Sequence, residues 1–222
     1  MRPWMIGCEE SGKVRDAMIA RGIPAVSCDL LPSRSDAGPH IQGDILDAIP
    51  SREWGGIVCF PDCTYLTCSA EWAYSDGPYH QRVKPGTLVG AERRSARERA
   101  IAFAQHLWNS MDRVILENPV GVLSRVLGRP QVIQPYMFGD DASKATCIWI
   151  KGLPPLTIPP KSAWFQPRII NGKPRWANQT DSGQNRLSPG PDRKRDRSET
   201  YPGIAAVLAD LIATAERTPH DR

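Results

Sequence analysis

Two residues of this sequence have the side chains of a nucleophile and of its acid–base partner, and each follows a short apolar run. Cys63 comes soon after residues 56–60 (GIVCF), a run that is too short for a helix and typical of a buried strand. Glu117 follows residues 113–116 (RVIL), where partial burial would raise its pKa toward the range of a general acid. A cysteine at the end of a strand can act as a nucleophilic thiolate, and a buried structural thiol is the alternative interpretation.

The segments after the first three predicted strands have the features of a nucleoside-binding site. Loop 7–12 (GCEESG) offers glycines and a helix N-terminus, and its two acidic residues favour a ligand with an amine over a phosphate. Asp29 follows the second strand and suits the two hydroxyls of a ribose. After the third strand, Asp44 suits the amino group of adenine, with Ile45 packed on the ring. A nucleoside with a cationic tail and no phosphate fits all three segments, and S-adenosylmethionine is such a molecule.

Apolar runs alternate with amphipathic segments, which predicts the elements that position these residues. Strands are predicted at 3–7, 24–28, 40–43, 56–60, 113–116, 132–134 and 146–150, the last two antiparallel to each other. Helices are predicted at 11–22, 45–49, 91–111, 120–127 and 199–214, and residues 62–90 form a long loop. Capping of the helix at 120–127 by Asn118, with Pro119 at the first helical position, is the alternative interpretation of those two residues. The alternation predicts an α/β fold with a doubly wound, mostly parallel sheet, in which ligands bind at the carboxyl ends of the strands.

A basic and aromatic segment interrupts this pattern near the C-terminus. Residues 161–197 contain nine Lys or Arg against three Asp. Residues 1–156 and 192–222 are therefore predicted to form one catalytic, ligand-binding domain, with 157–191 as a small irregular insertion. Candidate contacts to phosphates and bases in this insertion are Arg168, Lys173, Arg175 and Trp176, and the long loop adds Arg82 and Lys84. A solvated proline-rich loop is the alternative interpretation.

Net charge, hydropathy and cysteine content indicate where the protein is located more clearly than what it does. The net charge of +4 permits binding to nucleic acid without requiring it. No apolar run approaches the roughly 20 residues that cross a bilayer, and no signal peptide opens the chain, so we expect a cytoplasmic protein without membrane contacts. The six cysteines are expected to be reduced. The spacing of Cys59, Cys63 and Cys68 lacks the paired short intervals of a zinc site, so no metal is expected.

The order of these motifs resembles that of the cytosine-C5 DNA methyltransferase family, in the compact form often found in phage and prophage genomes. The motifs that carry the resemblance are 7–12 (GCEESG), Asp29, 43–45 (GDI), 61–63 (PDC) and 117–119 (ENP). The later segments 134–139 (QPYMFG), 144–154 (KATCIWIKGLP) and 197–205 (RSETYPGIA) are similar to the compact subfamily. The resemblance covers residues 4–154 and 183–214.

The resemblance implies S-adenosylmethionine as methyl donor, with S-adenosylhomocysteine as product, and cytosine in DNA as substrate. It implies that Cys63 adds to C6 of a cytosine flipped out of the duplex, while Glu117 hydrogen-bonds the ring N3 and the exocyclic amine. The residues expected to bind the donor are Gly7, Cys8, Glu9, Ser11, Gly12, Asp29, Leu30, Asp44, Ile45, Pro61 and Thr200. Such an enzyme would serve DNA modification, including restriction–modification, in a bacterial or phage-infected cell.

Three departures from the family pattern bear on these expectations. Pro61-Asp62-Cys63 replaces the usual Pro-Pro-Cys, and the carboxylate of Asp62 would disfavour a thiolate at Cys63. The family's arginine motif near the target ring is not recognisable, and Lys144 is the candidate substitute unless it is a solvated surface lysine. The insertion is much smaller than the family's target-recognition domain. We therefore expect short or degenerate specificity, or a protein partner that assists recognition.

Three other functions fit part of the sequence. A related enzyme would modify C5 of a pyrimidine in RNA or in a nucleotide, or would use another one-carbon donor. A catalytically impaired relative would bind nucleic acid without turnover, for which Asp62 is the argument. A Rossmann oxidoreductase fits the fold but lacks a regular Gly-x-Gly-x-x-Gly, and it leaves Cys63 and Glu117 without a role. The sequence leaves the oligomeric state open.

Overall fold

The centre of the fold is a seven-stranded sheet, seen in a computed structural model that describes residues 1–188, 190 and 193–217. Its strands are β1 (Trp4–Gly7), β2 (Ala25–Asp29), β3 (His40–Gln42), β4 (Gly56–Cys59), β5 (Val114–Pro119), β6 (Gln131–Ile133) and β7 (Thr146–Lys151). They lie in the order β3-β2-β1-β4-β5-β7-β6. β7 runs antiparallel to both of its neighbours, and the other four pairs are parallel.

Helices cover both faces of this sheet. They are α1 (Lys13–Ile19), α2 (Ile45–Ala48), α3 (Gly90–Asn109), α4 (Ser124–Leu127), α5 (Arg193–Ser198) and α6 (Pro202–Arg217). α1 packs against α6 on one face of the sheet, while α2 and α3 lie on the other face. Within the described residues, no helix combines the length and the apolar character that crossing a bilayer requires.

Alternate side chains of the strands enter two separate cores. Trp4 and Ile6 join the core under α1 and α6, which includes Leu208. Met5, between them in sequence, joins the core under α3, which includes Leu107. All of these side chains are fully buried. A strand that buries both faces must be apolar along its whole length, which is why short apolar runs predicted these strands.

The predicted fold class is confirmed, because helices cover both faces of a sheet in which four of the six strand pairs are parallel. The antiparallel pairing predicted for the last two strands is also confirmed. The end of β5 differs from the prediction, since pairing with β7 continues it as far as Pro119. Glu117 and Asn118 therefore lie inside the strand, and the alternative interpretation of Asn118 as an N-cap is wrong. The helix predicted at 120–127 is reduced to the single turn of α4.

The insertion predicted at 157–191 contains a hairpin that the sequence did not predict. β8 (Arg168–Ile170) and β9 (Lys173–Arg175) pair antiparallel across Asn171 and Gly172, which both have positive φ, as a tight hairpin turn requires. Asn178, beyond the hairpin, donates from Nδ2 to the carbonyl of Ser143 at 2.9 Å and so ties the insertion to the sheet domain. Residues 189, 191, 192 and 218–222 lie outside the described residues, and so does the predicted domain boundary at 191/192.

A buried arginine organises the segment between β2 and β3. The side chain of Arg15 in α1 is fully buried, and its Nε donates to Asp16 Oδ1 at 2.8 Å. Its two terminal nitrogens donate to Ser27 Oγ and to the carbonyl of Ser35, each at 2.9 Å. The guanidinium therefore holds the segment after β2 against the sheet. This segment follows Asp29, the residue at the end of β2 that is predicted to bind a ribose.

Replacing Arg15 with methionine should destabilise the protein by about 3 kcal/mol, because buried partners lose their hydrogen bonds. Urea denaturation measures the free energy of unfolding. Arg2→Met is the matched control, since Arg2 pairs with Glu53 at the surface and its side chain is 65% exposed. We expect the control to cost less than about 1 kcal/mol. Equal losses in the two variants would contradict the structural role of the buried network.

Candidate active site

The carboxyl ends of the parallel strands meet at one edge of the sheet. Gly7, the last residue of β1, pairs with Cys28 of β2 on one side and with Cys59 of β4 on the other. The contacts continue beyond the strands: Cys8 N donates to Cys28 O at 2.8 Å, and Phe60 N donates to Gly7 O at 3.0 Å. The segments that follow β1, β2 and β4 therefore come together, as parallel topology predicts.

Cys8 lies where the predicted donor-binding segments meet. The pKa of its thiol is raised to about 12, first by burial and then by Asp29, Cys28, Asp44 and Asp62. The thiol therefore stays protonated at neutral pH. Because three carboxylates from three different segments act on this one sulfur, the structure brings those segments to a common point, as the sequence predicted.

Glu9 is a buried carboxylate with one unsatisfied oxygen. The residue is 5% exposed, and its Oε1 accepts hydrogen bonds from Ser11 Oγ and Lys13 N. Its Oε2 is buried and has no hydrogen-bond partner among the described residues. Burial raises the pKa of Glu9, although the bonds from Ser11 and Lys13 oppose the rise. A cationic ligand group beside Oε2 would offset the cost of burying this carboxylate. Gly12, with a φ of 77°, turns the chain into α1.

Asp29 and Leu30 combine a carboxylate with an exposed apolar side chain at the end of β2. Asp29 Oδ1 accepts a hydrogen bond from Leu31 N at 2.9 Å, and burial raises the pKa of the carboxyl group. Leu30 is 71% exposed. The pair offers a nucleoside a hydrogen-bond acceptor and an apolar surface side by side.

The structure corrects the prediction for the segment after β3. Asp44 Oδ1 accepts a hydrogen bond from Leu46 N at 2.9 Å and so caps α2. Ile45 is 4% exposed, and its Cδ1 occupies the space that a Cβ on Gly7 would need. The prediction that Ile45 packs on an adenine ring is therefore wrong, because this side chain belongs to the core. Leu46, 40% exposed, is the apolar side chain that the segment presents.

Asn118 fixes the backbone that precedes Cys63. It is 1% exposed, and its Nδ2 donates to the carbonyl of Pro61 at 2.8 Å. Pro61, which was predicted to contact the donor, is buried and provides this backbone acceptor. Sequence reasoning missed the contact, because only the pairing of β5 with β7 reveals that Asn118 lies in a strand that faces the Pro61 segment.

The turn after Cys63 docks on the segment that follows β5. Leu66 O accepts a hydrogen bond from Val122 N at 2.8 Å, and Thr67 forms a bridge with Gly121. A Cβ on Gly121 would collide with the carbonyl of Leu66, so this close approach of two backbones requires glycine. Cys63 itself is partly exposed at the start of the turn.

Glu117 lies in a pocket with residues from three segments of the chain. The pocket is lined by Glu117, Lys144, Thr146, Thr200, Tyr201 and Ile204. Thr146 Oγ1 donates a hydrogen bond to Glu117 Oε1. Burial raises the pKa of Glu117, whereas Lys144 and Thr146 oppose the rise. The structure thus brings together three residues that the sequence predicted, and it adds Thr146, for which the sequence predicted no role.

Cys63 shares the electrostatic environment of this pocket. Burial raises the pKa of its thiol, the carboxylates of Asp62 and Glu117 raise it further, and Lys144 opposes them. Asp62 is exposed, and its Oδ1 accepts hydrogen bonds from the amide (2.8 Å) and the hydroxyl (2.5 Å) of Thr64. Glu117 and Lys144, which line the pocket, are therefore near enough to Cys63 to shift the pKa of its thiol.

The segment from α5 to the start of α6 crosses this edge and is held there by ion pairs. Arg195 donates two hydrogen bonds to Glu10, at 2.5 and 2.7 Å. Glu199 pairs with Lys13 at 2.8 Å. These contacts hold the segment beside loop 7–12, and Thr200, the residue after Glu199, lines the Glu117 pocket. The order of motifs alone did not predict these pairs.

The predicted nucleic-acid contacts are divided between exposed and internal positions. Arg82 and Lys84 are exposed on the loop between β4 and α3, and Arg168 and Lys173 are exposed on the hairpin. Arg175 is used inside the insertion, where its Nε donates to Asp181 O at 2.9 Å. Trp176 stacks on Tyr136 with ring centroids 4.6 Å apart. Tyr136 therefore covers one face of the Trp176 indole, and a nucleic-acid base cannot stack on that face as predicted.

Three of the other cysteines have structural surroundings. All six are free thiols, and Cys28, Cys59 and Cys147 are buried in the core under α3. Burial is the largest cause of the raised pKa of each of these three thiols. Among the described residues, no group of three or more His, Cys, Asp or Glu is arranged to hold a metal ion.

Comparison with known proteins finds likeness to solved structures but no match to a protein family or to a curated protein. A similar solved structure is a crystal structure of a mutant of DNMT2 from Spodoptera frugiperda, with 15% sequence identity and a TM-score of 0.40. The match covers 68% of this chain and 50% of that chain, so it spans about half the length of the solved protein.

Proposed function

We propose that this protein is an S-adenosylmethionine-dependent methyltransferase that acts on C5 of cytosine in DNA. The observation that carries the proposal is the pocket that Glu117 and Lys144 line together, because these two residues also act on the pKa of the partly exposed thiol of Cys63. A partly exposed thiol beside a carboxyl group and a cation suits covalent attack on an electron-poor ring, followed by stabilisation of the charge that develops.

The segments around Cys8 fit the proposed donor. Glu9, with its unpartnered buried oxygen, would hold the ammonium group of the donor. Asp29 would accept hydrogen bonds from the ribose hydroxyls, Asp44 would accept one from the adenine amino group, and Leu30 would contact the base. S-adenosylmethionine bound there supplies an electrophilic methyl group.

Cys63 and Glu117 would activate the cytosine ring. C5 of cytosine is a weak nucleophile, and addition of the Cys63 thiolate to C6 converts the ring into an enamine that reacts at C5. Glu117, whose pKa is raised by burial, would donate a hydrogen bond to N3 and stabilise the negative charge that the addition places on the ring. Thr146 fixes one oxygen of this carboxyl group. Loss of the C5 proton to a base then expels the thiolate and restores the aromatic ring.

Lys144 would support both partners. It opposes the rise in the pKa of Cys63 and so favours the thiolate. Its Nζ donates to Arg197 O at 2.8 Å, which holds the ammonium at the rim of the pocket. The ammonium group of Lys144 would thus supply a positive charge near the target ring, where the family pattern has an arginine motif.

DNA is the proposed partner because four exposed basic side chains lie on the loop that contains Cys63 and on the hairpin of the insertion. Arg82 and Lys84 on the loop, and Arg168 and Lys173 on the hairpin, are suited to phosphate contacts. Asn178 Nδ2 reaches Tyr201 Oη at 3.1 Å, so the insertion is joined to the wall of the pocket. So small a surface favours short specificity or help from a protein partner, in a bacterial or phage-infected cytoplasm.

One observation favours a second function, which is binding of nucleic acid without efficient turnover. Asp62 raises the pKa of Cys63 beyond the effect of burial. Fewer molecules then carry the thiolate at neutral pH than an uncharged neighbour would allow. The proposed enzyme is therefore expected to be slow at neutral pH and faster in mild alkali.

Trapping of a covalent adduct tests the proposed chemistry. With methyl-labelled S-adenosylmethionine and duplex DNA that contains 5-fluorocytosine, we expect a labelled adduct on a denaturing gel, because fluorine cannot leave C5 as a proton does. Cys63→Ser should abolish the adduct. Cys68→Ser is the matched control, since Cys68 is an exposed thiol in the same loop, and it should trap DNA as the wild type does.

The other outcomes of this assay separate the alternatives. Donor binding measured by calorimetry without any adduct would favour nucleic-acid binding without turnover. Label in RNA or in free nucleotide, and none in DNA, would favour a different pyrimidine substrate. An adduct that persists in Cys63→Ser would rule out this residue as the nucleophile.

Asp62→Asn should make Cys63 more reactive at neutral pH, because removal of a neighbouring negative charge lowers the pKa of the thiol. The measurement is the pH dependence of iodoacetamide alkylation, followed on the Cys63 peptide by mass spectrometry in a Cys68→Ser background. The profile should move to lower pH. Asp76→Asn, which removes an exposed carboxylate from the same loop, is the control and should leave the profile in place. An unmoved profile in Asp62→Asn would refute the effect of this carboxylate.

Lys144→Met should lower kcat/KM at least about tenfold, because the thiol of Cys63 loses the cation that opposes the rise in its pKa and fewer molecules then carry the thiolate. Lys151→Met is the matched control. Lys151 also donates to a backbone carbonyl, that of Trp108 at 2.5 Å, but at the opposite end of β7. Initial rates of methyl transfer to DNA measure the effect, and similar losses in both variants would reduce Lys144 to a structural residue.

A further inference from the structure

Arg97 connects α3 to the turn that carries Cys63. Its Nε donates to Tyr65 O at 2.9 Å, and its Nη2 donates to Thr67 O at 3.2 Å. The same guanidinium pairs with Glu71 at 2.6 Å and lies 3.4 Å from the ring centroid of Tyr74. The side chain of Arg97 is only 15% exposed. One arginine thus holds two carbonyls of the turn and is itself fixed by a carboxylate and an aromatic ring.

The turn is closed by its own hydrogen bonds and is held from two sides. Cys63 O accepts hydrogen bonds from Leu66 N at 3.0 Å and from Thr67 N at 3.2 Å. The carbonyl of Leu66 is bound by Val122 N, in the segment after β5. Arg97 of α3 therefore holds the carbonyls of residues 65 and 67. The segment after β5 holds the carbonyl of residue 66, which lies between them. Loss of the α3 contacts would leave the turn attached on one side alone.

We propose that Arg97 is a positioning residue, which orients the Cys63 turn for attack on the pyrimidine without touching substrate or donor. The inference rests on the proposed function. A guanidinium suits the task because its planar fork can bond two carbonyls and a carboxylate at once, which a lysine ammonium cannot do with the same geometry. A nucleophile displaced by about 1 Å can lose about 100-fold in rate.

The test compares Arg97→Met and Arg97→Lys with Arg94→Met. Arg94 lies on the same helix, and it bonds Tyr74 O at 2.7 Å and Asp76 at 2.9 Å instead of the turn. With labelled S-adenosylmethionine and duplex DNA, kcat should fall about 100-fold in Arg97→Met. Arg97→Lys should recover little of that loss, and Arg94→Met should retain the wild-type kcat. KM and Kd for the donor should be unchanged in all three.

Two further measurements distinguish positioning from a general structural or electrostatic effect. Amide hydrogen exchange at Leu66 and Thr67 should accelerate in both Arg97 variants and not in Arg94→Met. Burial, Asp62, Glu117 and Lys144 account for the pKa of Cys63, so the pH midpoint of its alkylation should be the same in Arg97→Lys as in the wild type.

Several results would overturn the inference. They are a wild-type kcat in Arg97→Lys, a loss of donor affinity as large as the loss of kcat, and a shifted pH midpoint for alkylation of Cys63. If Arg97→Met does not fold, Arg97→Lys alone decides. If the wild type methylates no cytosine, the proposed function fails by itself. The exchange measurement would then still test whether Arg97 orders the Cys63 turn. Amide exchange at Leu66 and Thr67 that is as slow in the Arg97 variants as in the wild type would contradict this role, and faster exchange would support it.

Discussion

The antiparallel pairing of β7 with β5 is the contact on which the geometry of the site depends. A parallel strand at this place would begin at the far edge of the sheet, whereas β7 begins at the carboxyl edge, where Thr146 pairs with Pro119. Thr146 and Glu117 consequently project from the same face as diagonal neighbours, and the hydroxyl reaches the carboxyl group. Lys144, just before β7, is brought to the same point. The same pairing turns Asn118 to the opposite face, where it holds the Pro61 segment.

Hydrogen bonds from arginine side chains hold the irregular segments in place, as strand pairing holds the strands of the sheet. Arg15 holds the segment after β2, Arg97 holds the turn after Cys63, and Arg195 holds loop 7–12 through Glu10. Each uses several donors of one guanidinium on carbonyls or carboxylates that would otherwise face water or apolar surroundings. In the first half of α3, Arg94 also binds a carbonyl of the long loop, whereas Arg99 is exposed and donates to Ser95 of the same helix.

Two buried polar groups at the carboxyl edge lack a complete set of hydrogen bonds. Glu9 Oε2 and Asn118 Oδ1 are both buried without a hydrogen-bond partner in the described part of the chain. Burial also raises the pKa of Glu9, Asp29, Cys63 and Glu117, which all belong to this edge. Perturbed titratable groups gathered in one place are typical of a functional site. Cys28, Cys59 and Cys147 also have raised pKa values, but burial in the apolar core under α3 is the main cause.

The sequence by itself determined the sheet and the region of the site. Strands buried on both faces need continuous apolar runs, and parallel topology gathers the residues after β1, β2 and β4, so local patterns were sufficient for both. The placement of individual side chains depended on tertiary structure. Ile45 follows Asp44 in sequence, yet it fills the space above Gly7 in the core. The sequence allowed Asn118 to be interpreted as a helix cap, but pairing with β7 places it inside a strand. Contacts such as Thr146 with Glu117 or Arg97 with Tyr65 join residues far apart in sequence, and no local pattern specifies such pairs, because they depend on how the completed elements pack.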